Sequence, residues 1–322
     1  MTIIKRLSAA ALAAVLTVLT GCSVLLDDTW TYEEQSGYTQ EDISGAITYE
    51  AAAEYGSWRP QGSADTLEGE SVIVTILLDT PDADFTDEDI AHANDSIERS
   101  CRYIEEQGRK YGKSVKLYNY GKENSDLLFW IDCDKPAADA VNFRADTYAG
   151  FKNTVDSLIA DEIPFSDIYE KYGTDSIGFM VMLDADASAY SQVYYPDGDY
   201  YGYNEWVAMF MHDMYGTRYE NLACYAHEIL HLFGAIDLYA AKATDGFSAD
   251  MAAEIASDPD YSMALMYNTY NPDGSYDYEN IPQELSDITL AMIGFTDGAE
   301  VFKRYPSLSR NYTAAFENKA AH

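Results

Sequence analysis

Apolar residues follow one another almost without interruption in two stretches of the chain, residues 71–79 and 176–186. Strands that are covered on both faces have this pattern. Residues 114–120 and 126–132 are shorter runs of the same kind, and residues 189–213 have the pattern of a hairpin or edge strand with a turn at "PDGD". We therefore expect these segments to be the strands of one sheet.

Three segments have the apolar spacing of helices. Thr86 is in position to begin the first helix, which should end near residues 108–112. Residues 142–163 are the second predicted helix, and residues 219–233 are the third. His92 falls on the polar side of the first helix, so we expect it to be solvated.

The order of these elements predicts an α+β fold in which two long helices pack on a twisted mixed sheet. The last predicted helix covers residues 282–294, with Pro282 in its first turn and Gly294 at its end. Residues 68–300 would then form one domain, followed by a C-terminal tail at residues 301–322.

The N-terminus has the features of a bacterial export signal. A short basic start precedes an apolar run, and the run ends in Leu-Thr-Gly-Cys at Cys22. This tetrapeptide resembles the lipobox of bacterial lipoproteins. The resemblance implies a signal peptide at residues 1–21, lipid attachment to Cys22 and a tether outside the cytoplasmic membrane, with residues 22–67 as an acidic lead-in. A plain secretory signal with an incidental cysteine is the alternative.

The formal net charge of −35 decides against two classes of partner. No basic stripe is present to meet the phosphates of a nucleic acid, and an anionic membrane surface would repel the protein. An acidic surface that keeps the protein soluble and a preference for cationic substrates or bound cations both stay open. Residues 196–205 and 271–280 are acidic clusters that can be considered for structural Ca²⁺, although neither has the EF-hand spacing.

Three cysteines follow Cys22 in the chain: Cys101, Cys133 and Cys224. The compartment outside the membrane permits disulfides, and an odd count leaves at least one thiol unpaired. Cys101 and Cys133 are a candidate pair that the sequence does not establish.

A metal-binding pattern lies in the third predicted helix. His227 and His231 are four residues apart, so their imidazoles project from adjacent turns of one face and can hold one Zn²⁺. Glu228 is rotated by about 100° from His227 and can act as a general base toward a water molecule there. Gly234 can end the helix with a positive φ and turn the chain back, which lets Asp237 offer a carboxylate oxygen as third ligand.

Other residues compete with Asp237 for the third position. Cys224 lies on the same side of the helix, but about 10.5 Å of helical rise separates it from His231, so a place in the core is its expected role. His212 follows a predicted strand, and no turn directs it at the histidine pair. The remaining histidines are weaker candidates: His92 and His322.

The pattern His-Glu-x-x-His-x-x-Gly-x-x-Asp resembles the zinc signature of metzincin-type metalloproteases whose third ligand is aspartate, such as snapalysin-like and immune-inhibitor-A-like peptidases. Metzincins also have a methionine-containing turn beneath the metal. Residues 261–270 are similar to it, with Met266 as the turn methionine and Met263 as the rival assignment. The resemblance implies a metzincin-like fold with an active-site helix, a Met-turn and a C-terminal helix.

The chain departs from that family at one position that bears on the chemistry. In some metzincins a tyrosine two residues after the turn methionine helps to stabilise the oxyanion, whereas this chain has Asn268 there. Tyr267 and Tyr270 are close in sequence, and neither is assigned the role.

These features predict a zinc-dependent endopeptidase that hydrolyses peptide bonds of extracellular proteins or peptides, with one catalytic Zn²⁺ and Glu228 as general base. The alternative is a non-catalytic cell-surface lipoprotein that retains the fold and binds through its acidic, tyrosine-rich loops. A chance motif in a surface helix is a third interpretation.

Overall fold

Six strands pair in one mixed sheet within the part of the chain that the structure describes. The structure is a computed structural model, and it describes residues 63–64, 67–121, 124–141, 146–193, 204–213, 215–216, 218–241 and 246–308. The signal peptide, Cys22, most of the lead-in, the turn at 196–199 and residues 309–322 lie outside the described residues.

The sheet contains both parallel and antiparallel pairs, as the sequence predicts. Its strands are β1 (Gly69–Asp79), β2 (Val115–Asn119), β3 (Leu128–Asp132), β4 (Ile177–Asp186), β5 (Tyr190–Gln192) and β6 (Trp206–His212). Their order is β2-β1-β4-β6-β5, and β3 pairs with the second half of β1. Every pair is parallel except β5 with β6, so β5 is an antiparallel edge strand.

Helices cover both faces of this sheet. They are α1 (Asp87–Lys110), α2 (Ala138–Val141), α3 (Asp146–Glu162), α4 (Phe165–Tyr172), α5 (Leu222–Leu232), α6 (Ala249–Ser257), α7 (Asp287–Met292) and α8 (Ala299–Arg304). Because side chains alternate along a strand, Ile73 of β1 joins the core formed with α1 and α5, and Val72 joins the core formed with α3 and α4. The two long helices therefore lie on opposite faces.

The start of α1 follows the sequence prediction. The Thr86 side chain accepts a hydrogen bond from the Asp89 backbone N–H, and the Asp89 carboxylate accepts one from the Thr86 backbone N–H. This reciprocal pair is a capping box, which satisfies two donors that the first turn leaves without partners.

The second predicted helix, residues 142–163, corresponds to α3, Asp146–Glu162. The short helices on either side of it, α2 and α4, are not predicted by the sequence. Gly173 ends α4 with a φ of 71°, a conformation that favours glycine.

The prediction for residues 282–294 is wrong at its start. Helix α7 begins only after Ser286, whose side chain accepts a hydrogen bond from the Thr289 backbone N–H. Pro282 lies outside the helix because Glu284, two residues later, is paired with a distant part of the chain. The Leu265 N–H donates to the Glu284 carbonyl oxygen at 2.9 Å. The helix ends, as predicted, before Gly294, whose φ is 78°.

The folded core extends beyond both ends of the predicted domain. Ser63, Ala64 and Leu67 are buried, and the Ile177 N–H donates to the Ser63 carbonyl oxygen at 2.7 Å. Helix α8 crosses residue 300, and Leu308 is fully buried in the core shared by α1 and α5. Within the described part of the chain, every helix is too short or too polar to span a bilayer.

The candidate disulfide does not form. Cys101 and Cys133 are both free thiols, and they belong to the cores on opposite faces of the sheet. Two cysteines separated by a sheet cannot approach to the distance that a disulfide requires.

Candidate metal centre

Helix α5 carries the two histidines and is buried along its whole length. Its N-cap is Asn221, whose side-chain oxygen accepts a hydrogen bond from the Cys224 backbone N–H at 3.1 Å. The helix packs closely on β4, since a Cβ atom added to Gly178 would lie 2.7 Å from a Leu232 methyl carbon. Packing in the core therefore fixes the position of the helix that carries both histidines.

A glycine turn ends α5 and reverses the chain. Gly234 has a φ of 90°, in the left-handed region that favours glycine. Its N–H donates to the His231 carbonyl oxygen at 3.0 Å, and the Ala235 N–H donates to the Leu230 carbonyl oxygen at 3.1 Å. This pair of bonds is the Schellman motif, and it returns the chain so that Asp237 faces the helix.

Three side-chain atoms converge at this point. The Nε2 atoms of His227 and His231 lie 3.1 Å apart. The Oδ1 atom of Asp237 lies 3.1 Å from each of them. All three side chains are buried, with at most 5% of each residue exposed. The structure thus brings together the three residues that the sequence singled out.

The other ring nitrogen of each histidine contacts a backbone carbonyl. His227 Nδ1 lies 3.0 Å from the Leu265 oxygen, and His231 Nδ1 lies 2.8 Å from the Ala235 oxygen. Since a carbonyl oxygen can only accept, each Nδ1 carries the hydrogen and donates it. In the neutral rings both Nε2 atoms therefore present lone pairs, next to a carboxylate oxygen that also presents one. Such an arrangement is repulsive unless a cation or an added proton lies between the three atoms.

The donor set fits zinc. Tetrahedral zinc with bonds of about 2.0–2.2 Å to nitrogen and oxygen holds its ligand atoms about 3.3–3.5 Å apart, and the atoms here are 3.1 Å apart. Two imidazoles with one carboxylate suit zinc better than calcium or magnesium, which prefer oxygen ligands. Carbonyl oxygens that fix the Nδ1–H of ligand histidines are a usual feature of zinc sites.

A second carboxylate lies beside the same pair. Glu228 is 2% exposed, and one of its carboxylate oxygens is within 4.8 Å of the ligand nitrogens of His227 and His231. Asp237 Oδ1 lies 3.1 Å from both Nε2 atoms. This equal and close approach to both imidazoles favours Asp237 as the third ligand, and Glu228 is a second carboxylate beside the same pair.

A tight turn under the site contains Met266. The Tyr267 N–H donates to the Ala264 carbonyl oxygen at 2.9 Å, and the fully buried Met266 lies between them. The turn contacts the site through two carbonyls: that of Leu265 accepts from His227 Nδ1, and that of Met266 accepts from the Leu238 N–H at 2.8 Å. Met263, the rival assignment, precedes this turn.

Two residues near the site, Asn268 and Tyr239, make contacts that the sequence does not predict. Asn268 follows the turn, and its side-chain amide donates to the Ser262 carbonyl oxygen at 2.8 Å. The sequence pattern does not point to Tyr239, yet its ring is stacked 6.3 Å from the ring of His227, with the planes 23° apart. The one feature of the sequence that could have pointed to Tyr239 is its position two residues after Asp237.

The rival ligands are not brought to the site. Cys224 is fully buried in the core. His92 and His212 both stack on the ring of Tyr219, with ring centroids 4.1 Å and 5.1 Å from it. His92 is half-buried, so the prediction that it is solvated is wrong, and burial lowers its pKa. His322 lies outside the described residues.

The aspartate carboxylates of the acidic loop at 271–280 accept hydrogen bonds from within the loop. Asp273 accepts hydrogen bonds from Ser275, and Asp277 accepts them from the backbone N–H groups of Glu279 and Asn280. Among the described residues, ligand atoms close enough to share an ion are found only at the His227 site. Most of the other cluster, 196–203, lies outside the described residues.

Helix α1 fixes the beginning of α5 through polar contacts that the sequence did not reveal. The Tyr219 hydroxyl donates to Asp89 at 2.8 Å, and the Ser100 hydroxyl donates to the Leu222 carbonyl oxygen at 3.1 Å. Beside them, the pKa of Glu220 is raised to about 7, mainly by burial and in smaller part by the nearby carboxylates of Asp213 and Glu228, while the hydrogen bonds from Asn221 act in the opposite direction.

Comparison with known proteins adds no relative. No protein-family model matches the chain, and no curated protein sequence matches it significantly.

Proposed function

We propose that this protein is a zinc-dependent endopeptidase whose metal is held by His227, His231 and Asp237. The observation that carries the proposal is the meeting of three lone-pair atoms 3.1 Å apart, with both imidazoles oriented by backbone carbonyls. A metzincin-like version of the fold is part of this proposal. It is supported by the glycine turn before Asp237 and by the turn at Met266.

When bound there, zinc would supply the Lewis acidity that activates water and polarises a peptide carbonyl. Glu228 is the residue of this chain placed to move protons. Its carboxylate would take a proton from the attacking water and deliver it to the nitrogen of the leaving amine. Burial of Glu228 keeps its carboxylate away from bulk water, which strengthens its interaction with a nearby positive charge.

The choice of a polypeptide as substrate rests on the resemblance of the pattern His-Glu-x-x-His-x-x-Gly-x-x-Asp to the zinc signature of metzincin-type proteases. Extracellular proteins and peptides are the substrates that an exported enzyme would meet.

The decisive experiment compares the parent protein with Glu228→Gln. The parent is expected to hold about one zinc per chain and to cleave an unstructured protein such as casein. Glu228→Gln should keep the zinc and lose activity by at least about 100-fold, the usual contribution of a general base. Glu106→Gln, a change on the exposed side of α1, is the matched control and should be fully active.

Equal cleavage by Glu228→Gln and the parent would refute the mechanism. A parent protein that holds zinc but cleaves no member of a broad peptide library would favour the alternative, a binding lipoprotein.

The proposed location is the outer side of the cytoplasmic membrane, through a lipid on Cys22. Cys22→Ala should release the protein into the medium. Membrane attachment that survives this change would refute lipidation at Cys22.

A further inference from the structure

Three tyrosines form a row in the loop that follows the Met266 turn. The ring centroids of Tyr270 and Tyr276 lie 6.1 Å apart, and those of Tyr276 and Tyr278 also lie 6.1 Å apart. All three side chains are half-buried, so part of each ring faces solvent. We name Tyr270, Tyr276 and Tyr278 the tyrosine row.

One end of the row already contacts a cation from the protein itself. The guanidinium carbon of Arg218 lies 5.2 Å from the centre of the Tyr278 ring. A guanidinium over a tyrosine ring is a cation–π contact, which arises from the negative face of the ring. The chemistry that suits the row is therefore that of arginine and lysine side chains.

Carboxylates flank the tyrosine row. Hydrogen bonds from Ser275 lower the pKa of Asp273. Burial raises the pKa of Asp277, but the backbone N–H groups of Glu279 and Asn280 lower it by more, so its pKa is also below the usual value. Both groups are ionised at neutral pH, and the exposed Glu279 lies beside them. The row therefore combines aromatic faces with negative charge.

Two arginines of the protein itself also lie at this surface: Arg218 over Tyr278, and Arg99, which donates to the Glu279 carbonyl oxygen and interacts electrostatically with Asp277. Most other lysines and arginines of the described chain are paired with its own carboxylates, for example Lys152 with Asp156 and Lys171 with Asp126, both at 2.6 Å. The net charge of −35 leaves a large excess of carboxylates. The negative electrostatic potential that these carboxylates create attracts cationic polypeptides and raises their rate of association.

The tyrosine row also lies next to the proposed catalytic helix. At one end, Tyr270 follows the turn whose Leu265 carbonyl fixes His227. At the other end, Tyr278 is close enough to Arg218 and Glu220 to interact with them electrostatically, and these residues directly precede α5. The row thus runs from the turn beneath the metal site to the start of the helix that carries the histidines.

We infer that the tyrosine row and its carboxylates Asp273, Asp277 and Glu279 are a subsite for the basic side chains of a peptide substrate. This inference rests on the proposed peptidase function and names its substrate class, a polypeptide rich in arginine or lysine. Cation–π and charge contacts give the subsite its preference for basic over neutral side chains of the same shape.

A binding experiment tests the subsite without requiring catalysis. Zinc-loaded Glu228→Gln protein is titrated into a fluorescent, unstructured peptide that contains three arginines. The same peptide with citrulline, which is neutral and nearly the same shape, is the reference. The arginine peptide should bind at least about five-fold more tightly, and the difference should shrink as the salt concentration rises.

Variants of the row locate the effect. Tyr276→Leu and Tyr278→Leu, each combined with Glu228→Gln, should lose most of the preference, whereas Tyr276→Phe keeps an aromatic face and should retain it. Glu279→Gln, at an exposed position, should reduce the preference about two-fold. Tyr169→Leu and Asp134→Asn change an exposed tyrosine and an exposed carboxylate elsewhere and should have no effect.

The outcomes separate this inference from the proposed function. Equal binding of the arginine and citrulline peptides, or a preference unchanged in both leucine variants, overturns the subsite even if the parent protein cleaves peptides. A preference that depends on the row supports the subsite even if the parent cleaves nothing, in which case the peptidase proposal falls. Zinc content and circular dichroism show that each variant is folded, and Tyr276→Phe and Glu279→Gln remain informative if a leucine variant is not.

Discussion

The imidazole of His231 and the backbone of Ala235 are joined by a hydrogen bond of 2.8 Å between Nδ1 and the carbonyl oxygen. The Ala235 N–H at the same time donates to the Leu230 carbonyl oxygen at the end of α5. One turn therefore performs two tasks: it orients the ring of one ligand and returns the chain to deliver Asp237. Gly234 makes this turn with its φ of 90°.

Gly234→Ala is expected to destabilise the protein and weaken metal binding together. A Cβ atom in the left-handed region costs about 1–2 kcal/mol, and any relaxation of the turn moves both Ala235 and Asp237. Urea unfolding measures the stability, and competition with a chelator measures the zinc affinity.

Gly150→Ala is the matched control for that experiment. Gly150 lies within α3, and a Cβ atom added to it has no neighbour within 4 Å. Alanine in a helix should stabilise the protein by about 0.5–1 kcal/mol and leave zinc affinity unchanged. If Gly234→Ala behaved in the same way, the turn would not be what positions Asp237.

The grouping of the metal-site residues could be predicted because its determinants are close in sequence. Helical spacing places His227 and His231 on one face, and a glycine three residues later predicts the reversal toward Asp237. The groups that orient the rings could not be predicted. They are backbone carbonyls, and the Leu265 carbonyl belongs to a turn 38 residues away from His227.

Long-range contacts also explain the errors in the fold. His92 was assigned to solvent from the apolar spacing of α1 alone, but Tyr219 from a distant loop covers it. The start of α7 was placed at Pro282, where a local rule favours a helix start, but the pairing of Glu284 with Leu265 prevents it. Strands such as β1 were predicted well because burial on both faces leaves a continuous apolar run.

Asp237→Ala should decide which carboxylate completes the metal site. Asp237 Oδ1 lies 3.1 Å from the Nε2 atoms of both imidazoles, so its removal is expected to lower zinc affinity by more than about 100-fold, above the usual effect of losing an outer-shell partner. Glu228→Ala should change the affinity only a few-fold. The reverse order of effects, measured by competition with a chelator, would make Glu228 the ligand.

The thiols provide a test of the packing around the sheet. None of Cys101, Cys133 and Cys224 is in a disulfide, and all three are buried, so the folded protein should react slowly with a thiol reagent. After denaturation without a reductant, all three should react, and a reductant should not change the melting temperature. The measurement uses the Cys22→Ala protein, so that Cys22 does not add to the count. One reactive thiol in the denatured chain would instead indicate the Cys101–Cys133 disulfide.

Glu220 is a buried carboxyl group that the proposed chemistry does not use. Only 5% of the residue is exposed, and its Oε1 atom accepts hydrogen bonds from the Asn221 backbone N–H at 2.9 Å and from the Asn221 side chain at 2.7 Å. Its pKa is raised from a usual value of 4.5 to about 7, mainly by burial and in smaller part by Asp213 and Glu228, while the hydrogen bonds from Asn221 act in the opposite direction. The folded protein therefore binds a proton on Glu220 at pH values where the unfolded chain does not.

This difference predicts how stability depends on pH. A raised carboxyl pKa favours folding at low pH, and that contribution is lost as the pH rises from about 4.5 to about 7, at most about 3 kcal/mol for a shift of this size.

In chelator-treated protein, Glu220→Gln should remove this loss, because glutamine keeps an oxygen that accepts from Asn221 but does not ionise. Urea unfolding at pH 5 and pH 8 should therefore show that the parent loses more stability than the variant. The opposite contribution of His92, whose pKa is lowered, is present in both proteins and cancels in the comparison. Equal losses in the two proteins would mean that Glu220 is ionised at neutral pH despite its burial.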